Sequence, residues 1–227
     1  MSSNKSYFQQ LGLPLNLQWS KQVGIIAVLV SFLCAAPVLA HHPLGGKLPS
    51  NFFEGMMSGF GHPIIGFDHL AFVIASGLIA VGISRGLLIP IAFVIATGIG
   101  AVVHLQAINL PIPELVIAAS VVLFGVLLVA RQISKTDASY SLIIAGLAAL
   151  AGIFHGHAYG EGIFGAEPTP LFAYLIGFVF IQLAISLGVY FVASRAIRFI
   201  NLKYITRFAG LAIATTGLVF LSSAITG

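Results

Sequence analysis

The sequence is short of charge. Asp, Glu, Lys and Arg make up only 7% of its 227 residues, and 59% of the residues are hydrophobic. A typical soluble domain has roughly 25% charged residues, because its water-facing surface needs them. This composition therefore excludes a soluble domain, a disordered tail and a nucleic-acid-binding protein. We expect the chain to lie in a lipid bilayer.

Cysteine is almost missing as well, since Cys34 is the only one in the chain. A single cysteine excludes a disulfide framework and also excludes zinc or iron–sulfur sites built from cysteine ligands. Any metal ion bound by this protein must therefore be held by nitrogen and oxygen ligands.

The first 40 residues have the pattern of an export signal. A polar stretch with two lysines over 1–21 precedes an apolar run over 23–36, and Val38 and Ala40 are small residues that suit cleavage after Ala40. We therefore predict a signal peptide over 1–40. The alternative is an uncleaved first membrane helix.

Cleavage would leave His41 and His42 at the start of an external leader over 41–61. A free α-amine beside an imidazole can chelate a divalent metal, because both groups are nitrogen donors on one short segment. The alternative is that these residues form only a short solvated leader.

Six further apolar runs follow, each about 20 residues long and so able to cross a ~30 Å hydrocarbon core as a helix. They lie near residues 62–84, 87–107, 112–130, 140–159, 169–194 and 205–225. We therefore predict an all-α, polytopic membrane protein, with six transmembrane helices over 62–227 after a cleavable signal peptide.

The cations predict the orientation of these helices. Most Lys and Arg residues after residue 40 fall in or beside the first, third and fifth loops between the spans, and only Lys47 lies on the other side. The loop cations are Arg85, Arg131, Lys135, Arg195, Arg198, Lys203 and Arg207. The positive-inside rule makes these loops cytoplasmic, so the mature N- and C-termini are expected outside the bacterial cytoplasmic (inner) membrane.

Ionisable residues inside the spans are candidates for function, because each costs ~2.5–3.5 kcal/mol at the bilayer centre. All seven histidines, and every acidic residue after residue 40 except Asp137, fall on the predicted outer side. The candidates within or at the ends of the spans are His62, Asp68, His69, His104, Glu114, His155, His157 and Glu161. For His104 an interfacial polar role, and for Glu114 a helix N-terminal charge, are the structural alternatives.

The spacing of His62 and His69 limits what they can do together. On a regular helix they share one face but stand ~10 Å apart along it, which is too far for one ion. They would form two relay positions, or share an ion only if the helix is distorted near Pro63. Asp68 could ligate a metal itself or orient His69.

The second group of candidates lies at the end of the fourth span. His157 and Glu161 are four residues apart and face the same way, whereas His155 and His157 point nearly oppositely on an intact helix. Both histidines could bind one ion only if the helix opened at Gly156 or Gly160. A glycine can leave the helical conformation at low energetic cost.

Imidazole and carboxylate ligands without thiolate suit Ni²⁺, Co²⁺, Zn²⁺ or Mn²⁺ and disfavour Cu(I). At these residues the sequence resembles the HupE/UreJ family of hydrogenase- and urease-linked nickel or cobalt permeases. The resemblance rests on HPIIGFDH (62–69) and FHGHAYGE (154–161), together with the signal and the order of the six spans. It covers essentially the whole chain.

The resemblance implies metal uptake and a set of metal ligands. That set is His62, Asp68, His69, His155, His157 and Glu161, with His41, His42, His104 and Glu114 as weaker candidates. The chain departs from the family at Tyr159, where another histidine is common. Because a phenol replaces an imidazole there, we expect the protein to accept Co²⁺ as well as Ni²⁺.

The leading hypothesis is a permease that takes up Ni²⁺ or Co²⁺ from outside, with no enzymatic activity and no prosthetic group. An intramembrane metal-dependent hydrolase and a metal-sensing accessory subunit are the alternatives. The inner half of the spans offers only small polar groups that suit brief, weak binding. They are Thr97, Gln182, Ser186, Thr215 and Thr216.

Overall fold

The protein was analysed as a computed structural model, which describes residues 47–131, 138–199 and 201–226. The predicted signal peptide, His41 and His42 lie outside these residues. The described residues form α-helices and no β-strand. The helices are α1 (Phe52–Ile65), α2 (Phe67–Ala80), α3 (Leu88–Leu105), α4 (Pro113–Ala130), α5 (Ala138–Glu161), α6 (Pro168–Ala196) and α7 (Leu202–Thr226).

The prediction of an all-α protein with several membrane helices is confirmed. Helices α3 to α7 are each long and apolar enough to cross a membrane, and the bent pair α1 and α2 makes a sixth candidate if it counts as one span. The exact number of crossings stays a prediction.

The first predicted span, 62–84, is wrong as a single helix. Its residues are divided between α1 and α2, which meet at an angle of 79°. Gly66 separates the two helices in an extended conformation, with φ −72° and ψ 99°. A Cβ on Gly66 would lie 2.7 Å from Cδ2 of His69, so the close approach at this break requires glycine.

Helix α1 begins at Phe52, so the predicted leader boundary at residue 61 falls inside it. The side chain of Asn51 accepts a hydrogen bond from the Glu54 amide at 3.0 Å. The Glu54 carboxylate in turn accepts one from the Ser50 amide at 2.8 Å. This reciprocal capping satisfies amide groups at the helix start and explains why the helix begins there.

Helix α2 is the centre of the bundle, because it contacts each of the six other described helices. Most of its apolar residues are buried, and they lie on several sides of the helix, as expected for a helix surrounded by protein. The ring of Phe72 packs against Phe93 at 4.6 Å and Phe124 at 4.4 Å between centroids. These contacts join α2 to α3 and α4.

Helices α3 and α5 form the most extensive helix pair. A Cβ on Gly156 would overlap the carbonyl oxygen of Thr97, and one on Gly100 would overlap that of Ile153. Glycine at these positions lets the two backbones touch, as is common between membrane helices. Gly152, Gly156 and Gly160 of α5 therefore serve close packing against α3, and the helix stays continuous through Gly156 and Gly160.

The loops that carry the basic residues come together at one end of the bundle. The Arg131 guanidinium donates to the carbonyl oxygens of Leu78 and Val81 at the end of α2. The side chain of Leu202, at the start of α7, lies close to Gly82. The first, third and fifth loops therefore share one end of the bundle, as the sequence predicted.

Candidate metal site

The break at Gly66 brings His62 and His69 together. His62 lies in the last turn of α1 and His69 in the first turn of α2, and their ring centroids are 5.9 Å apart. On an unbroken helix they would be separated by ~10 Å. Both side chains are buried, as is that of Asp68. The helix break therefore places His62, Asp68 and His69 in one compact group.

A chain of hydrogen bonds sets the tautomer of His69. Ser120 donates its only hydroxyl hydrogen to the carbonyl oxygen of Ile117 at 2.7 Å, so its oxygen accepts from Nε2 of His155 at 3.0 Å. In a neutral His155, Nδ1 is then an acceptor, and Nδ1 of His69 donates to it across 2.8 Å. The neutral His69 ring therefore carries its lone pair on Nε2.

A second chain of hydrogen bonds acts in the same way on His62. Tyr174 donates its hydroxyl hydrogen to the carbonyl oxygen of Tyr159 at 2.9 Å. The phenol oxygen lies 2.6 Å from Nδ1 of His62, and both contacts are satisfied when that Nδ1 is the donor. The lone pair of His62 is then on Nε2. Metal-ligating histidines generally donate their other ring N–H in this manner.

Tyr159 lies between these two histidines. Its ring centroid is 5.0 Å from that of His62 and 4.5 Å from that of His69. The side chain is fully buried, and its hydroxyl has no hydrogen-bond partner among the described residues. Tyr159 is thus part of the same group as the two histidines.

Asp68 adds a buried carboxylate in the first turn of α2, where the positive end of the helix dipole favours negative charge. Its Oδ1 accepts the amide hydrogen of His69 at 2.8 Å. The carboxylate is close enough to interact electrostatically with His155 and Tyr159. We call these residues the buried cluster: His62, Asp68, His69, His155 and Tyr159.

A separate histidine pair lies at the end of α3. The ring centroids of His104 and His157 are 4.4 Å apart, and Nδ1 of His104 is 3.3 Å from Nε2 of His157. That Nε2 is also 3.0 Å from the carbonyl oxygen of Ile108 and 3.4 Å from the amide nitrogen of Leu110. We call His104 and His157 the peripheral pair.

The sequence predicted that His155 and His157 point in opposite directions on an intact helix, and this is confirmed. Because α5 does not open, His155 joins the buried cluster and His157 joins the peripheral pair. The ligand set implied by the resemblance is thus divided between two places.

The remaining candidates lie at the surface. Glu161 ends α5 and Glu114 lies in the first turn of α4, and both are exposed. Within the part of the chain that the structure describes, no three His, Cys, Asp or Glu side chains are arranged to hold one metal ion. Two imidazoles of the buried cluster have Tyr159 between them, so a shared ion would need the phenol, water or a side-chain movement to complete its shell.

Sequence reasoning missed Ser120 and Tyr174, which orient the two histidines. A serine or tyrosine in an apolar helix is too common to single out without its tertiary contacts. The only available signal was a polar group within a predicted apolar span.

Comparison with known proteins supports the family resemblance. The HupE / UreJ protein family matches residues 28–220. Protein HupE of Rhizobium leguminosarum bv. viciae is 30% identical over 210 residues, which cover 90% of this chain and 99% of that protein. No solved structure matches the chain significantly.

Proposed function

This chain belongs to the HupE/UreJ family, and from that membership we propose that it is a permease for Ni²⁺ or Co²⁺. It carries the ion inward through the buried cluster and performs no covalent chemistry. Its partners are the metal ion and the lipid bilayer. It needs no prosthetic group and binds no nucleic acid.

The observation that carries this proposal is the pair of fixed histidine tautomers. Ser120, through His155, and Tyr174 set the Nδ1 hydrogens of His69 and His62. Both Nε2 atoms are thereby left in the form that ligates a metal. Imidazole nitrogen suits Ni²⁺ and Co²⁺, and a thiolate that would favour softer ions is missing from these residues.

Charge supports a cation as the substrate. Asp68 is a carboxylate buried inside the bundle, and a buried charge is costly unless a positive group compensates it. An incoming divalent cation supplies that charge at the moment of binding. The phenol of Tyr159 is neutral at pH 7, so it can add an oxygen ligand without adding charge.

The peripheral pair gives the ion a first contact. His104 is only partly buried, so the pair is accessible from the end of the bundle opposite the basic loops. With those loops in the cytoplasm, this end faces outward, and both termini of the mature chain lie outside the cytoplasmic membrane.

This orientation can be tested with reporter fusions. Reporters fused after Arg85 and Asn201 should be cytoplasmic, and a C-terminal reporter should be external.

The test is metal uptake by the purified full-length protein in sealed vesicles that contain a fluorescent chelator. The wild type should accumulate Ni²⁺ or Co²⁺ well above protein-free vesicles. Asp68→Asn keeps the shape of the side chain but removes its charge, so it should abolish uptake without lowering membrane abundance. Glu167→Gln neutralises an exposed carboxylate at the N-cap of α6 and is the matched control.

Failure of the wild type to move either ion would refute the proposed function. Uptake by Asp68→Asn at the wild-type rate would show that the buried cluster is not the route. Loss of uptake in Glu167→Gln as well would mean that any lost carboxylate impairs the protein, and Asp68 would then carry no special meaning.

A further inference from the structure

Gln182 is fully buried on the face of α6 that also carries Tyr174 and Phe178. Residues four apart share a helix face, so these three side chains lie in one row. The ring of Phe178 packs against Tyr159 at 5.2 Å between centroids. Gln182 lies one turn further, ~12 Å from Tyr174 along the helix, toward the end that carries the basic loops.

Hydrogen bonds fix the orientation of the Gln182 amide. Its Nε2 donates to the carbonyl oxygen of Phe178 at 3.1 Å and to Oγ1 of Thr97 at 3.3 Å. Thr97 accepts there, because its own hydroxyl hydrogen goes to the carbonyl oxygen of Val94 at 2.7 Å. Both amide hydrogens are thus used, and the oxygen and nitrogen of the side chain cannot be exchanged.

The carboxamide oxygen of Gln182 takes no part in these hydrogen bonds. Its Oε1 is buried and has no hydrogen-bond partner among the described residues. A buried amide oxygen without a donor destabilises the fold, so native proteins rarely keep one unless a water or an ion binds it.

The hydroxyl groups around this level of the bundle also present only lone pairs. Ser186 donates its hydrogen to the carbonyl oxygen of Leu183 at 3.2 Å, and Ser76 donates to that of Val73 at 2.8 Å. Thr97 is bound in the same way and contacts Gln182, and the backbone of Ser186 lies against Gly77, the neighbour of Ser76 in α2, so each of these three hydroxyls can only accept. An interior that offers oxygen lone pairs and no hydrogens suits a cation and repels an anion.

We infer that Oε1 of Gln182 is a second coordination point for the transported divalent cation, on the inner side of Phe178. The inference rests on the proposed transport function. At this point the ion leaves nitrogen ligands and meets a single neutral oxygen, with water completing its shell. A neutral oxygen binds Ni²⁺ or Co²⁺ weakly, which lets the ion leave toward the cytoplasmic end.

The test compares Co²⁺ uptake into vesicles with equilibrium binding of Co²⁺ to the full-length protein in detergent. Gln182→Met removes the oxygen at similar side-chain length. It should leave binding to the buried cluster within about twofold of the wild type and slow uptake at least about tenfold. Gln182→Glu keeps an oxygen and adds charge, so it should bind more Co²⁺ per chain than the wild type. Gln106→Met changes an exposed glutamine and should match the wild type.

Uptake by Gln182→Met within about twofold of the wild type would overturn the inference and would leave a buried water as the partner of Oε1. If Gln182→Met does not reach the membrane, Gln182→Glu decides, because unchanged Co²⁺ binding in that variant also overturns the inference. A wild type that transports nothing refutes the proposed function, and the binding result for Gln182→Glu still decides the role of Gln182.

Discussion

His155 and His157 are two residues apart on one helix but have different surroundings. His155 is fully buried, and both of its ring nitrogens contact side chains, those of His69 and Ser120. His157 contacts the partly buried His104 and the backbone of the loop after α3. Helix α5 continues unbroken through Gly156 while its glycines pack against α3, so one sequence motif contributes to two places.

The two sites also differ in how firmly their protons are placed. In the buried cluster, the Ser120 bond to Ile117 leaves one consistent tautomer for His155 and His69. In the peripheral pair, Nε2 of His157 can donate to Ile108 or accept from Leu110. A preorganised ligand pair suits selective binding, and an adaptable pair suits capture and release.

The largest effect should come from removing one imidazole from each site in turn. His69→Gln should lower uptake more than about 100-fold. It removes a metal ligand itself, which lowers metal affinity more than removing a residue that only orients a ligand. His157→Gln should lower it about tenfold or less, because the remaining imidazole and backbone still receive the ion. Initial uptake rates at low Co²⁺, with membrane abundance measured in parallel, would compare them. Equal losses would contradict the division into two sites.

The next largest effect should come from breaking the hydrogen-bond chain from Ser120 through His155 to His69. Ser120→Ala removes the acceptor that holds the hydrogen on Nε2 of His155, so His69 is no longer held in its ligating form. Affinity for Co²⁺ should fall about tenfold. Ser120→Thr, which keeps the hydroxyl, should restore the affinity and the Co²⁺ absorption spectrum.

Thr206→Val is the matched control for Ser120→Ala. The buried Thr206 hydroxyl donates to the carbonyl oxygen of Lys203 in its own helix α7, so the variant also loses a local hydroxyl bond, and Thr206 belongs to neither histidine site. If it weakens Co²⁺ binding as much as Ser120→Ala does, the effect is one of general helix packing.

The sequence predicted the all-α class and the two histidine-containing motifs. It also predicted that His155 and His157 point in opposite directions on an intact helix. The break at Gly66 was expected only as an alternative, a distortion near Pro63, because an isolated glycine in an apolar run is usually tolerated. Most of α1 was missed because residues 52–61 were included in the predicted external leader. Ser120 and Tyr174 orient the histidines only through contacts between distant helices, which no spacing encodes. Gln182 was already among the polar residues expected on the inner side.

A smaller effect is expected on selectivity. Tyr159→His should shift uptake toward Ni²⁺ by about three- to tenfold, because an added imidazole favours the ion higher in the Irving–Williams order. The ring of Tyr159 lies 4.5 Å from that of His69, so the new imidazole would face the same volume. Tyr190→His, on a distant part of α6, is the control. An unchanged Ni²⁺/Co²⁺ ratio in competition uptake would show that residue 159 does not touch the ion.

The smallest effect is expected at the peripheral pair's more exposed member. His104→Gln should slow uptake only about two- to threefold. An imidazole at the entrance helps to capture the ion, but it does not decide which ion the buried cluster accepts. Its neighbour His157 keeps the Ile108 carbonyl contact in this variant. Glu114→Gln, at the exposed start of α4, should be as mild. Uptake would be followed at Co²⁺ concentrations below and above saturation, and the defect in His104→Gln should vanish at the higher one. A loss as deep as that of His69→Gln, at both concentrations, would mean that the two sites work as one.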